Sequence, residues 1–145
     1  MKHIIVAESA GFCAGVARSV RIAEETLAKY GEAWCIGELI HNHDEVVRLE
    51  NLGLKTAMSA NDVPNDSVVV IRSHGEPKSV YDVLAARGCT IVDATCGRVE
   101  RIHQIAEDTG KTGGHLIVFG DRNHPEVVGI CGWCESCSVV SSPEE

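Results

Sequence analysis

A run of β-branched residues that ends in a cysteine, followed at once by a helical pattern, constrains this chain most strongly. Residues 90–96 read TIVDATC, and Val99, Ile102 and Ala106 then recur at the spacing of one helix face. Cys96 is therefore predicted in a turn between the carboxyl end of a strand and the amino end of a helix. Open α/β sheets bind ligands at such turns, and a helix amino terminus favours the thiolate form that binds metals.

The same arrangement occurs at the beginning of the chain. Residues 3–8 are predicted to form a strand, a glycine-flanked turn contains Cys13, and residues 14–29 have the apolar spacing of a helix. A histidine follows each of the two cysteines after 28 residues, at His41 and at His124. We interpret this pattern as an internal repeat of 83 residues.

The second copy of the repeat is predicted to be incomplete. The first copy contains a further histidine, His74, just after the apolar strand 68–71. Its counterpart 83 residues later would lie beyond Glu145. We therefore expect one complete α/β unit over residues 1–95 and part of a second over 96–145, either as a fragment or as a shortened descendant.

Strands alternate with helices along most of the chain. Additional strands are predicted at 33–36, 55–57, 68–71, 90–93 and 115–119, and additional helices at 43–52, 77–86 and 98–108. The segment 120–126 has the composition of an exit loop, and the periodicity fades from Cys131 onward. This order predicts an α/β fold of repeated βα units with mostly parallel sheets.

Charge and cysteine content exclude several classes of protein. A net charge of −8 without a run of basic residues argues against nucleic-acid binding. The apolar opening, residues 4–7, is too short for a signal peptide or a membrane span, so a cytoplasmic protein is expected. Seven scattered cysteines do not suit a secreted disulfide framework, and Cys35 and Cys89 are expected in the core.

Chemically versatile side chains follow the predicted strand ends, and they are expected at one edge of the sheet or at facing edges of two sheets. The candidates are Cys13, His41, His74, Cys96 and His124, with Glu126 two residues further on. Two thiolates and two histidines could bind zinc, and several thiolates could bind an iron–sulfur cluster. Three histidines beside glycines could instead bind an anion, and a carboxylic acid among them could donate a proton.

A rival metal site lies near the end of the chain. Cys131, Cys134 and Cys137 form two successive Cys-x-x-Cys pairs, a spacing found in zinc knuckles and redox proteins. No second pair of ligands follows them. A stand-alone metal- or anion-binding module, using these cysteines or the Cys13 and Cys96 site, is therefore the alternative function.

Five sequence blocks together resemble one enzyme family, the LytB family of 4-hydroxy-3-methylbut-2-enyl diphosphate reductases. The blocks are GFCAGV at 11–16, IHN at 40–42, SHG at 73–75, DATC at 93–96 and NHPEV at 123–127. They match in order and spacing across the whole chain. Gly97 and Glu76 depart from the family's pattern, which commonly has proline and a small apolar residue there.

The resemblance implies a fold, a reaction and a set of residue roles. Members of this family have three similar α/β units around a [4Fe-4S] cluster, with one cysteine from each unit. They remove an allylic hydroxyl to give isopentenyl and dimethylallyl diphosphates, the last step of the methylerythritol phosphate route. By this resemblance Cys13 and Cys96 are cluster ligands, Glu126 is the proton-relay acid, and the diphosphate-binding histidines are His41, His74 and His124.

The same resemblance implies what the chain lacks. The third cluster cysteine belongs to a later unit of the family, so the chain is expected to be truncated and inactive alone. A ferredoxin or flavodoxin is the expected electron donor. A reductase assembled from two separate polypeptides is a further alternative, in which a partner chain supplies the missing cysteine.

Overall fold

The protein, described here from a computed structural model over residues 3–144, alternates helices with strands. The helices are α1 (Ala14–Tyr30), α2 (His43–Asn51), α3 (Lys78–Ala86), α4 (Gly97–Lys111) and α5 (Pro125–Cys131), with a short 3-10 turn at Ala60–Asp62. The strands are β1 (Ala33–Ile36), β2 (Leu54–Ala57), β3 (Val68–Ile71), β4 (Thr90–Asp93), β5 (Leu116–Phe119) and β6 (Cys137–Val140). The predicted α/β class is confirmed.

Two parallel sheets result from this order. The first has four strands in the order β2-β1-β3-β4, and the second consists of β5 and β6. All the pairs are parallel, as in β3 and β4, where Val69 lies opposite Ile91. Because the strands are parallel, their carboxyl ends lie at the same edge of each sheet.

The larger sheet is covered on both faces by aliphatic side chains. On one face α1 contributes Val20, Ala23 and Leu27, which follow helical spacing and pack with Cys35 and Val70. On the other face, a second cluster joins α3 to the sheet through residues that include Leu84, Val63 and Ile71. A sheet buried on both faces explains why β3 is a continuous apolar run.

The smaller sheet packs on one face only. Ala106 of α4 and Ile130 of α5 form a small core with Cys134, against which Leu116 and Val118 of β5 pack. The alternate residues of β5, Ile117 and Phe119, are 66% and 69% exposed. No helix among residues 3–144 has the length and apolar character needed to cross a membrane.

The predicted strand at 3–8 is wrong. These residues form no regular secondary structure and belong to neither sheet, and Ile4 and Ile5 are 89% and 92% exposed. A β-branched run favours extended backbone, but a strand also requires a neighbour with which to exchange hydrogen bonds. No described segment of the chain pairs with residues 3–8.

Sequence reasoning also missed two elements, α5 and β6. Pro125 occupies the first turn of α5, a position where proline is favoured, but the helix is only seven residues long and shows little periodicity. The other predicted boundaries agree with the structure to within one to three residues. Cys35 is buried as predicted, whereas Cys89 is only partly buried against the second cluster.

Candidate functional site

Three imidazoles meet beyond the carboxyl ends of β1, β3 and β5. The centroids of the His41 and His74 rings are 4.3 Å apart, and the His124 ring lies 5.8 Å from the first and 6.0 Å from the second. The exits of β1 and β3 are tied together by the Ser73 N–H group, which donates to the Leu39 carbonyl over 3.1 Å. The three predicted histidines therefore form one cluster, called here the histidine triad.

The turn that carries Cys96 is fixed to the neighbouring elements by hydrogen bonds. The Cys96 N–H donates to the carbonyl of Ser73, the residue before His74, over 2.9 Å. From α1, Arg18 donates to the Thr95 carbonyl over 3.0 Å. These bonds place Cys96 directly beside the β3 exit and the amino end of α1.

Cys13 and Cys96 lie close to each other at the amino ends of two helices. Each occupies the residue immediately before its helix, α1 or α4. A Cβ atom added to Gly15 would lie 2.5 Å from the Cys96 sulfur and 3.9 Å from the Cys13 sulfur. The two thiols thus flank a glycine, and we call them the thiol pair.

The environment of Cys13 favours its thiolate. The pKa of Cys13 is lowered, chiefly because the Val16 backbone N–H hydrogen-bonds its sulfur, with smaller contributions from the Gly15 N–H and the positive charge of Arg98. Partial desolvation opposes this shift without reversing it. Backbone N–H groups at a helix amino terminus are a recognised cause of such a shift.

A buried hydroxyl on α1 supports the thiol pair. The Ser19 hydroxyl, which is fully buried, donates to the Ala94 carbonyl over 2.6 Å and contacts the Gly15 carbonyl at 3.1 Å. It therefore joins the helix after Cys13 to the strand exit before Cys96.

We expect Ser19→Ala to destabilise the chain by about 1–3 kcal/mol, because the buried Ala94 carbonyl loses its hydroxyl partner. Urea unfolding measures this loss. As a control, Thr109→Ala removes a hydroxyl that bonds the Ile105 carbonyl of its own helix, and it should cost less than about 0.5 kcal/mol. Equal effects of the two substitutions would contradict the supporting role of Ser19.

His124 and Glu126 are positioned by the first turn of α5. His124 is the residue before the helix, and its Nδ1 accepts a hydrogen bond from the Glu126 N–H over 3.2 Å. Because Nδ1 is an acceptor, the proton of the neutral ring is on Nε2. Glu126 is partly buried in the first turn of this helix.

Close packing joins α5 to the β3 exit. A Cβ added to Gly129 of α5 would contact the His74 carbonyl oxygen at 3.5 Å. The Trp133 indole N–H donates to the Glu76 carbonyl over 2.9 Å, and its ring stacks on His103 at 5.3 Å. The small second sheet is in this way fixed against the larger one, with His124 beside His74.

Gly75, the residue after His74, leaves space for the His103 ring to pack against the backbone of the β3 exit. Gly75 has φ of 72°, in the left-handed region that favours glycine, and an added Cβ would overlap His103. His103 is therefore a buried packing residue of α4, and its burial lowers its pKa.

The pKa of His74 is shifted by its surroundings. Its pKa is lowered from 6.5 to about 4, first by desolvation and then by the charges of His41, Arg72 and His124. Its Nδ1 is buried and makes no hydrogen bond with the described residues. His74 is therefore neutral at pH 7, and its buried Nδ1 is a polar atom that no described residue satisfies.

Titration of the imidazole resonances by NMR tests this environment. His74 should titrate with a midpoint near 4, and His74→Gln identifies its signal. Since the folded pKa lies below the ordinary value of 6.5, the stability linked to His74 is complete above about pH 6.5 and is lost as the pH falls toward 4. A midpoint at or above 6.5 would contradict the packing described for the triad.

A buried ion pair flanks His74 in the sequence. Arg72 Nε lies 2.6 Å from a Glu76 carboxylate oxygen, and their side chains are only 15% and 5% exposed. Burial raises the pKa of Glu76, while Arg72 opposes this shift by charge and hydrogen bonding. The Arg72 guanidinium also lies beside Gly37, at the exit of β1.

Comparison with known proteins agrees with this geometry. The family model described as LytB protein matches residues 4–145. The chain belongs to the LytB family.

Named relatives of this LytB chain are reductases. It is 39% identical over 139 residues to the 4-hydroxy-3-methylbut-2-enyl diphosphate reductase of Clostridioides difficile, covering 95% of this chain and 50% of that protein. It is 40% identical to the enzyme of the same name from Aquifex aeolicus, covering 95% and 48%. The chain thus spans about half the length of the curated relatives it matches.

Solved structures of reductases share the fold. One (E)-4-hydroxy-3-methyl-but-2-enyl diphosphate reductase, the terminal enzyme of the non-mevalonate pathway, superposes with a TM-score of 0.80 at 37% identity. The match covers 97% of this chain and 52% of that one. The E-1-hydroxy-2-methyl-but-2-enyl-4-diphosphate reductase of Plasmodium falciparum gives 0.89 at 25% identity, covering 94% and 44%.

The structure does not assemble the rival metal site in this LytB chain. Cys131 and Cys137 form a disulfide, and Cys134 is buried beside Ile130. Among the described residues 3–144, no three His, Cys, Asp or Glu side chains are grouped so as to hold a metal ion. A disulfide also differs from the free thiols expected from the composition, because the chain brings these two positions together locally.

Sequence reasoning found the side chains at the strand ends but missed those that position them. The positioning residues make contacts with residues that are distant in the sequence, and a local sequence pattern does not reveal such contacts. They are Ser19, Arg72 and Trp133. Gly15 carried a weak signal, since it follows Cys13 by two residues within a predicted helix, where glycine is unfavourable.

Proposed function

We propose that this chain is the part of a 4-hydroxy-3-methylbut-2-enyl diphosphate reductase that supplies two cluster thiolates and the diphosphate-binding histidines. The observation that carries this proposal is the adjacency of the thiol pair and the triad, joined through the bond from the Cys96 N–H to the Ser73 carbonyl. A reductase of an allylic diphosphate needs a redox centre beside an anion site, and these residues suit both.

Cys13 and Cys96 fit a [4Fe-4S] cluster as two of its ligands. Iron–sulfur clusters are held by thiolates, and the lowered pKa of Cys13 favours that form. The missing Cβ of Gly15 leaves space between the two sulfurs. The third thiolate would come from outside the described residues. When bound, the cluster would supply electrons and polarise the leaving oxygen.

The histidine triad would hold the diphosphate. Three imidazoles whose centroids lie 4.3–6.0 Å apart present several N–H donors to one anion. His74 is neutral in the free protein, so a bound diphosphate would stabilise its protonated form and raise its pKa. Binding should consequently take up protons near neutral pH.

Glu126 would donate a proton to the departing hydroxyl. Replacing an allylic hydroxyl with hydrogen and releasing water consumes two electrons and two protons. Glu126 lies in the first turn of α5, where its backbone N–H donates to His124 Nδ1. It is therefore held beside the triad, where a substrate's diphosphate would be bound.

The remaining properties follow from the proposed reaction. The substrate would be 4-hydroxy-3-methylbut-2-enyl diphosphate and the products isopentenyl and dimethylallyl diphosphates. A ferredoxin or flavodoxin would deliver the electrons. Residues 1–95 would form one repeated unit and 96–145 part of the next, and the chain alone would not turn over.

A chimaera tests the proposal. Residues 4–145 replace the matching half of the Clostridioides difficile reductase, which supplies the remaining half. We expect the anaerobically reconstituted chimaera to bind a [4Fe-4S] cluster and to convert the substrate with a chemical reductant. The 145-residue chain, treated in the same way, should do neither.

Two matched variants of the chimaera separate the proposed roles. Cys13→Ser should abolish cluster binding, whereas Glu126→Gln should retain the cluster and lose about 10²–10⁴-fold in turnover. A chimaera that holds the cluster but does not turn over, or a Glu126→Gln variant as active as its parent, would contradict the assignment.

A further inference from the structure

Cys131 and Cys137 stand apart from the other cysteines of the chain. Cys131 is the last residue of α5, Cys137 is the first of β6, and the structure joins them by a disulfide. Their Cα atoms are 5.6 Å apart, within the range that a disulfide requires. The other five cysteines are free.

Backbone hydrogen bonds hold the two positions together independently of the covalent bond. The Gly132 and Trp133 N–H groups donate back to the Val128 and Ile130 carbonyls, which ends α5 in a tight turn. The Leu116 N–H donates to the Ser136 carbonyl over 2.8 Å, which fixes the residue before Cys137 to β5. The reduced thiols would therefore stay close, and an intramolecular disulfide between them is favoured entropically.

Solvent can reach this pair. Cys131 and Cys137 are partly buried and line an open depression of about 500 Å³ together with Arg122 and residues 138–140. Cys134 differs, because it is buried among Ala106 and Ile130 and its thiol donates to the Ser136 carbonyl. Access therefore distinguishes the paired cysteines from the cysteine between them.

We propose that Cys131 and Cys137 are a reversible dithiol–disulfide site that reacts with small thiol and disulfide compounds such as glutathione. One thiolate attacks the glutathione disulfide, which releases one glutathione thiol and leaves a mixed disulfide. The second protein thiolate then displaces the other glutathione. The protein gives up two electrons and two protons, which appear in two molecules of reduced glutathione.

The disulfide would restrain the helix that carries part of the candidate site. It fixes the carboxyl end of α5 to the beginning of β6, while the amino end of α5 holds His124 and Glu126. Oxidation should therefore slow the opening of α5. This inference does not rest on the proposed function, since it concerns no cluster and no substrate.

Thiol trapping with peptide mapping tests the site. The 145-residue chain is equilibrated anaerobically with mixtures of reduced and oxidised glutathione and then alkylated. Cleavage after Glu126, Trp133 and Glu135 places each cysteine of this region in a different peptide. As the mixture becomes oxidising, Cys131 and Cys137 should escape alkylation together, and their peptides should be linked to each other and not to the peptides that contain Cys13 or Cys96. Reduced glutathione should reverse the change.

Variants and hydrogen exchange complete the test. Cys131→Ser and Cys137→Ser should each abolish the two-thiol loss, whereas Cys134→Ser should leave it intact. Amides of α5 should exchange more slowly in the oxidised than in the reduced chain. Full alkylation of Cys131 and Cys137 at every ratio, or a bond that uses Cys134, would overturn the site. Equal exchange in both forms would overturn the restraint on α5.

Discussion

Gly15→Ala should strongly weaken cluster binding by the chimaera while leaving the fold intact. The added Cβ would lie 2.5 Å from the Cys96 sulfur, a distance that forces the thiol to move. The affinity for the cluster should fall roughly 10–100-fold, the range seen when groups around metal ligands are disturbed, and the cluster content should fall with it. Iron and sulfide analysis, with the visible absorbance of the cluster, measures the change.

The substitution should not unfold the helix. Gly15 lies in the first turn of α1, and alanine is favoured over glycine in helices by up to about 1 kcal/mol. A matched control is Gly97→Ala, which lies directly after Cys96 at the beginning of α4, where an added Cβ meets nothing within 4 Å. It should keep its cluster. Equal cluster content in the two variants would show that the space at Gly15 is unimportant.

Arg72→Leu should cost the 145-residue chain about 3–5 kcal/mol of unfolding free energy, the usual penalty for stranding a buried charge. The Glu76 carboxylate, 5% exposed, would lose the guanidinium that lies beside it. Burial already raises the pKa of Glu76, and loss of Arg72 removes the influence that opposes this shift. Urea unfolding at pH 7 measures the penalty.

A double-mutant cycle separates the contribution of the Arg72–Glu76 ion pair to stability from that of the surrounding packing. In Arg72→Leu/Glu76→Leu no buried charge remains, and much of the lost stability should return. The penalty of the single substitution should also shrink as the pH falls toward the ordinary carboxyl value of 4.5, because the buried Glu76 carboxyl has a raised pKa and loses its charge when it is protonated. Additive effects, or a penalty independent of pH, would contradict the buried pairing.

The position of the site at one edge of the sheet could be predicted, because the carboxyl ends of parallel strands lie at the same edge. Once residues 68–71 and 90–93 are taken as neighbouring parallel strands, the residues that follow them, His74 and Cys96, must lie at one edge. The repeat then predicted a similar place for His124, and the triad confirms that these loops converge.

What could not be predicted depends on contacts across the fold. The segment 3–8 has the composition of a strand, but pairing is a property of two segments and not of one. Helix α5 is too short for its periodicity to be recognised. The buried pair of Arg72 and Glu76 appears in the sequence only as two opposite charges four residues apart.

The closeness of the thiol pair is the central requirement of the proposed reductase centre, and chemical cross-linking measures it directly. A short bifunctional thiol reagent, such as dibromobimane, is applied to the reduced 145-residue chain, and the bridged peptides are mapped. Cys13 and Cys96 should be joined by one bridge, and Cys13→Ser should remove it. If each of the two thiols reacts singly and no peptide links them, the sulfurs do not share one site, and the proposed reductase centre is contradicted.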